Sequence, residues 1–134
     1  MDIKKKLQNY ADMQLEHTQL KERIDSLREQ LTSIHSQNFD GIVAMSGNSD
    51  KIGDMVSTLS DLETTYIQKS NELMRKMIEI ERSINTLEPM ERVVVRKRYM
   101  ECKPWETICV EMNYGYRGIL KVHSRILQKL RKIS

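Results

Sequence analysis

The chain reads as all-α: a long antiparallel, coiled-coil-like helical hairpin followed by a three-helix helix-turn-helix domain. Three observations predict this. Residues 2–35 contain neither Gly nor Pro and carry apolar residues at three/four spacing. Residues 50–86 repeat that spacing after an interruption rich in Gly, Asn and Ser. Residues 88–134 then break into three short amphipathic segments, two of them opened by Pro89 and Pro104. With 5 Gly and 2 Pro in 134 residues, the chain lacks the turn residues of an all-β sandwich or barrel.

The first helix places Ile3, Leu7, Tyr10 and Met13, then Leu20, Ile24, Leu27, Leu31 and Ile34, along one narrow stripe. The second set steps 4, 3, 4, 3, which is the seam of a coiled coil. His17 fills the seam position between Met13 and Leu20. Residues 36–50 read as the loop of the hairpin, punctuated by Gly41 and Gly47. Its apolar residues Phe39, Ile42, Val43 and Met45 are expected to fold back onto the helix tips. The second helix aligns Leu59, Leu62, Tyr66, Leu73, Met77, Ile80, Ile84 and Leu87, with Ser70 or Lys69 in the gap. Two helices of about 35 residues span roughly 50 Å each, and equal lengths about one loop argue for antiparallel pairing. Two narrow stripes make a thin core, so self-association or packing against the C-terminal part is expected.

Glu88-Pro89 starts afresh, because Pro suits a first helical turn and holds its predecessor extended. The third helix is expected over about 89–100. After a connection through Cys102, Pro104 opens a fourth helix to about 112, with Trp105, Ile108 and Met112 on one face. Trp105 is the single Trp and should anchor this helix to the third. Asn113-Tyr114-Gly115 is a tight turn, Asn113 being a residue that tolerates a left-handed backbone. The fifth helix covers about 116–132 and buries Ile119, Val122, Ile126 and Leu130. The expected division is thus a hairpin, 1–87, and a helix-turn-helix domain, 88–134.

Charge is unevenly placed. Residues 1–87 carry 11 Lys/Arg and 14 Asp/Glu, a balance of −3, whereas residues 88–134 carry 11 and 5, a balance of +6. Residues 113–134 hold six Lys/Arg and no acid. A concentrated basic end implies a polyanion partner, nucleic acid before a membrane surface. On the fifth helix Arg117, Lys121, Arg125 and Lys129 recur every four residues as a cationic ridge. A recognition helix enters the major groove with its first turns, and its later cations meet phosphate. Arg117 and Lys121 are therefore the candidates for base edges, since both pair with guanine acceptors. Tyr116 is a candidate for base or phosphate, and Arg125, Lys129, Arg131 and Lys132 for the backbone of double-stranded DNA. The competing reading is a three-helix bundle with a solvated basic face, whose cations suit the C-terminal dipole of the last helix.

The residues Leu87-x-Pro89-x-Glu91-Arg92, Arg98-Tyr99, Trp105-Glu106-x-Ile108 and Arg125-x-Leu127-x-Lys129-Leu130-Arg131 resemble region four of bacterial sigma factors. The whole chain is similar to small phage-encoded sigma-like regulators of late genes (ArpU/RinA type). The resemblance implies a sequence-specific, DNA-binding transcription regulator, phage or prophage encoded, acting on promoter DNA with host RNA polymerase. It implies DNA contact at Tyr116, Arg117, Leu120 and Lys121. Leu120 stands where the family often has Arg, Gly118 lies inside the recognition helix, and Gly115 replaces the usual Ser/Thr cap. The other sigma regions have no counterpart, which favours an activator or partial sigma over an independent initiation factor. A homodimer through the hairpin is a further expected partner arrangement.

Other signals weigh less. Cys102, Cys109 and His123 lack the paired spacing of a zinc site. No phosphate loop, nucleophile elbow or paired-acid constellation is present, so neither a cofactor nor enzymatic activity is expected. No apolar run reaches membrane-spanning length and the N-terminus does not read as a signal peptide. Two Cys, nine Met and no secretory signal fit a reduced, cytoplasmic protein, and DNA binding would associate it with the nucleoid. The alternatives are a phage DNA-packaging protein of the small-terminase kind, which would form a ring, and a coiled-coil adaptor, which would bind no DNA.

Overall fold

The structure, a computed structural model, describes residues 2–39 and 46–133, with side chains for 2–34 and 50–133. All regular structure among the described residues is helical. The helices are α1 (Ile3–Phe39), α2 (Ser46–Ile84), α3 (Pro89–Val95) continued by a π-helical turn (Arg96–Met100), α4 (Trp105–Met112) and α5 (Tyr116–Ile133). None of them is long and apolar enough to cross a membrane.

Helix takes up both ends of the segment read as a loop, so α1 runs through Ser36-Gln37-Asn38 and α2 begins at Ser46. Polar residues of middling propensity cost well under about 1 kcal/mol each, and a helix already nucleated extends through them. The expected fold-back of Phe39, Ile42, Val43 and Met45 falls outside the described side chains.

The chain divides into two compact units, one formed by residues 1–15 with 72–134 and the other by 16–71. The division expected between residues 87 and 88 is therefore not the one the packing makes. A thin two-helix root cannot satisfy its own apolar stripe, and the C-terminal helices cover it.

The 16–71 unit is an antiparallel helix pair. Only Ile24 is fully buried among the described side chains here, while Leu20, Leu27, Leu31, Leu59 and Leu62 stay half-buried. The polar break in the seam is matched across the pair. The His17 ring stacks on Tyr66 at 4.2 Å and 16°. Ser70 donates its hydroxyl proton to the Tyr66 carbonyl at 2.8 Å, so His17 Nε2–H is the donor in its 2.7 Å bond to Ser70 Oγ. Ser70, rather than Lys69, fills the gap in the α2 stripe. Arg28 meets Glu63 at 3.4 Å on the rim.

The other unit holds the main core. Ile3, Leu7, Tyr10 and Ala11 of α1 join Leu73, Ile80 and Ile84 of α2 in one cluster with residues of every later helix. Val94, Val95 and Tyr99 come from α3 and its π turn, Ile108 and Cys109 from α4, and Ile119, Val122, Ile126, Leu127 and Leu130 from α5. Arg96 clamps Glu81 through two hydrogen bonds of 3.0 and 2.9 Å. That guanidinium holds the Glu81 carboxyl below its ordinary range.

The third helix was expected as a regular segment to residue 100, but its last five residues widen into a π turn. The wider turn keeps Tyr99 on the same side as Val94 and Val95, all three buried. Glu101 N–H bonds back to the Arg96 carbonyl, and Cys102 ends the turn in a left-handed conformation with φ 56°.

Candidate nucleic-acid interface

The helix-turn-helix is built from local rules. Glu88 is extended before Pro89, and the Glu91 side chain accepts the Glu88 N–H at 3.0 Å, closing the first turn of α3. The α4 C-terminus is closed by Asn113, left-handed at φ 57° and ψ 41°. Its N–H bonds to Val110 and the Tyr114 N–H to the Cys109 carbonyl at 2.9 Å, the paired bonds of a Schellman ending. Cys109 is small and buried in the cluster that also holds the inward face of α5, and its thiol donates to the Trp105 carbonyl.

Trp105 does tie α4 to the preceding segment. Its ring lies under the Arg98 guanidinium at 4.8 Å and against the His123 ring at 4.7 Å. His123 Nε2 and Tyr99 Oη share a hydrogen bond of 2.6 Å. Burial, with Lys4 and Arg98 nearby, pushes the His123 pKa down to about 4. Cys102 donates weakly to the Ala11 carbonyl at 3.7 Å. The two thiols and His123 thus belong to separate packing contacts.

Tyr114 lies over Gly118, and a Cβ built on Gly118 would sit 3.4 Å from the Tyr114 ring. That is ordinary contact with an exposed side chain, so the glycine is not sterically required. Gly118→Ala is expected to stabilise the protein by about 0.5–1 kcal/mol through helix propensity. An increased urea midpoint at unchanged slope would show it.

The faces of α5 follow from helical phase. Ile119, Val122, Ile126, Leu127 and Leu130 point inward. At roughly 100° per residue, the side opposite them carries Arg117, Lys121, Ser124, Gln128 and Lys132, and all five are exposed. The four-residue ridge does not stay on this side. Each step of four advances about 40°, so Arg125 and Lys129 rotate to the flank facing α3.

There both meet Glu91, which is 1% exposed. Glu91 Oε2 accepts from Arg125 Nε at 3.1 Å, and Lys129 Nζ bonds to Oε1 at 2.8 Å and Oε2 at 3.0 Å. Burial alone would raise the Glu91 pKa. The hydrogen bonds from Lys129, the Glu88 N–H and Arg125 outweigh it, and the carboxyl ends below its ordinary value.

Of the remaining candidates, Tyr116 is 49% exposed at the first residue of α5. Leu120 is half-buried and packs against the core. Arg131 lies 3.6 Å from Asp2. Lys97 and Lys103 both bind Glu111, at 2.6 and 2.8 Å. Arg117, Lys121 and Lys132 have no carboxylate partner among the described residues, and two of the three lie in the first turns of α5.

The reading of the sequence missed Ser124 and Gln128, and it missed the pairing of Glu91 with α5. Ser124 and Gln128 are hydrogen-bonding side chains on the outward face, and the 4, 3, 4, 4 spacing from Arg117 to Lys132 opposite the buried stripe could have revealed them. Glu91 carried no such signal, because its partners lie 34 and 38 residues away. Comparison with protein-family models, with curated proteins and with solved structures finds no match.

Proposed function

We propose that this chain binds duplex DNA through the outward face of α5 and acts as a sigma-like transcription regulator of phage or prophage type, on promoter DNA together with host RNA polymerase. The observation that carries the reading is the pair Arg117 and Lys121. Both are exposed and, among the described residues, without a carboxylate partner, on the opening turns of the second helix of a helix-turn-helix. Ser124 and Gln128 continue the same face with groups able to donate and accept toward base edges. A homodimer through the hairpin would present two such helices and read half-sites about one DNA turn, roughly 34 Å, apart. The site of action would be the cytoplasm, at the nucleoid.

The test is selection from a random duplex library with the purified protein, followed by titration of the enriched sequence at several salt concentrations. Enrichment of a defined motif is expected. Arg117→Ala or Lys121→Ala should weaken that site by about 1–3 kcal/mol and relax preference at one or two positions. A pool that returns unenriched, from a protein whose retention on DNA is indifferent to salt, would defeat the reading.

A further inference from the structure

We propose that Glu91 is a positioning residue that withholds Arg125 and Lys129 from nucleic acid, so that α5 meets phosphate with only part of its charge. This rests on the duplex-DNA reading above and adds a control of specificity to it. The last 22 residues carry six cations and no acid, and such a helix would hold any polyanion without regard to sequence. Non-specific binding is almost wholly electrostatic, whereas sequence is read at base edges. A device that quenches flank cations while sparing Arg117 and Lys121 would raise the ratio of specific to non-specific binding.

The geometry of Glu91 meets that need. Its carboxylate is fully buried at the start of α3, and both of its oxygens are occupied, by Arg125, Lys129 and the Glu88 N–H. Arg125 and Lys129 are themselves 54% and 42% exposed, so their side chains lie at the surface within reach of a polyanion. Turning either one wholly to a phosphate would cost the buried carboxylate one of its two cations. Arg117 and Lys121 bear no such tie among the described residues. The same carboxylate closes the first turn of α3, which fixes its position against the flank of α5.

The experiment measures affinity for a random-sequence duplex and for the selected site as a function of salt. Arg125→Ala and Lys129→Ala, each leaving Glu91 one cation, should keep the wild-type salt slope, while Lys121→Ala flattens it by about 0.9. Glu91→Gln frees both cations. Its slope on random duplex should steepen by about 1.8, and its affinity there should rise on the order of tenfold at moderate salt. Adding Arg125→Ala and Lys129→Ala to Glu91→Gln should return the slope to the wild-type value. A slope flattened by Arg125→Ala or Lys129→Ala as much as by Lys121→Ala overturns the proposal, and those two variants decide it even if Glu91→Gln fails to fold. A folded Glu91→Gln with an unchanged slope overturns it equally. A wild-type protein that binds no duplex at any salt removes the DNA reading itself, which is a different result from either.

Discussion

Leu7→Ala is expected to destabilise the helices at the far end of the sequence. Leu7 lies in the second turn of α1 and is 0% exposed. It belongs to the cluster that contains Ile84, Ile108, Ile119 and Ile126, each of them also sealed from solvent. Truncating a fully buried leucine costs about 2–5 kcal/mol, from lost transfer energy and the cavity left behind. A domain of this size has about 5–15 kcal/mol in all, so the loss is a large fraction of the total. Trp105 gives a local readout, because it is the only Trp and packs on His123 and Arg98 within the same unit. The Trp105 fluorescence transition in urea should move to lower denaturant together with the helical signal. Leu27→Ala, at a half-buried position in the 16–71 unit, should move the Trp105 transition less. If Leu7→Ala lowers helicity but leaves the Trp105 transition in place, the shared core is wrong and the chain divides near residue 87 after all.

What could be read without coordinates was what repeats at short range. The α5 stripe Ile119, Val122, Ile126, Leu130 is visible because spacing of three and four is the signature of one buried helix face, and each of the four is buried. Asn113 is visible because few residues accept a left-handed backbone, and it adopts one. His17 and Ser70 could be placed as occupants of the seam, but their hydrogen bond spans 53 residues and no local pattern announces it. The π turn at Arg96–Met100 has the composition of an ordinary helix, so nothing in the local pattern announces it. The cationic ridge shows the limit most clearly. Lys and Arg at every fourth residue look like one stripe, yet 3.6 residues per turn carries them around the helix. The first two stay opposite the core, and the next two arrive beside Glu91. Charge could be counted from the sequence, whereas its neutralisation by a carboxylate on another helix could not.

Acid should loosen the seat of α5 well before the carboxylates of the fold titrate, and His123 is the cause. Its ring is held between Tyr99 and Trp105, and burial, reinforced by Lys4 and Arg98, depresses its pKa from 6.5 to about 4. An unfolded chain takes up the proton near pH 6.5, while the folded one does so only near pH 4. Between those values unfolding binds a proton, so stability is complete above 6.5 and declines as pH falls toward 4. The full difference corresponds to about 3 kcal/mol, and solvent screening of a half-buried ring reduces it to about 1–2 kcal/mol. Glu81 and Glu91 act lower. Their depressed pKa values place their contribution above the ordinary carboxylate range, and it is lost only as pH falls through those depressed values. The His123 contribution therefore falls in the interval from pH 6.5 down to about 4.5, above the range in which Glu81 and Glu91 act. Urea unfolding across that interval should show a falling midpoint in the wild type and a nearly level one in His123→Gln, whose amide still offers Tyr99 a partner. Equal slopes in both proteins would assign the acid sensitivity elsewhere. A level wild-type profile would mean that the ring is solvated and does not hold α5 against the π turn and α4.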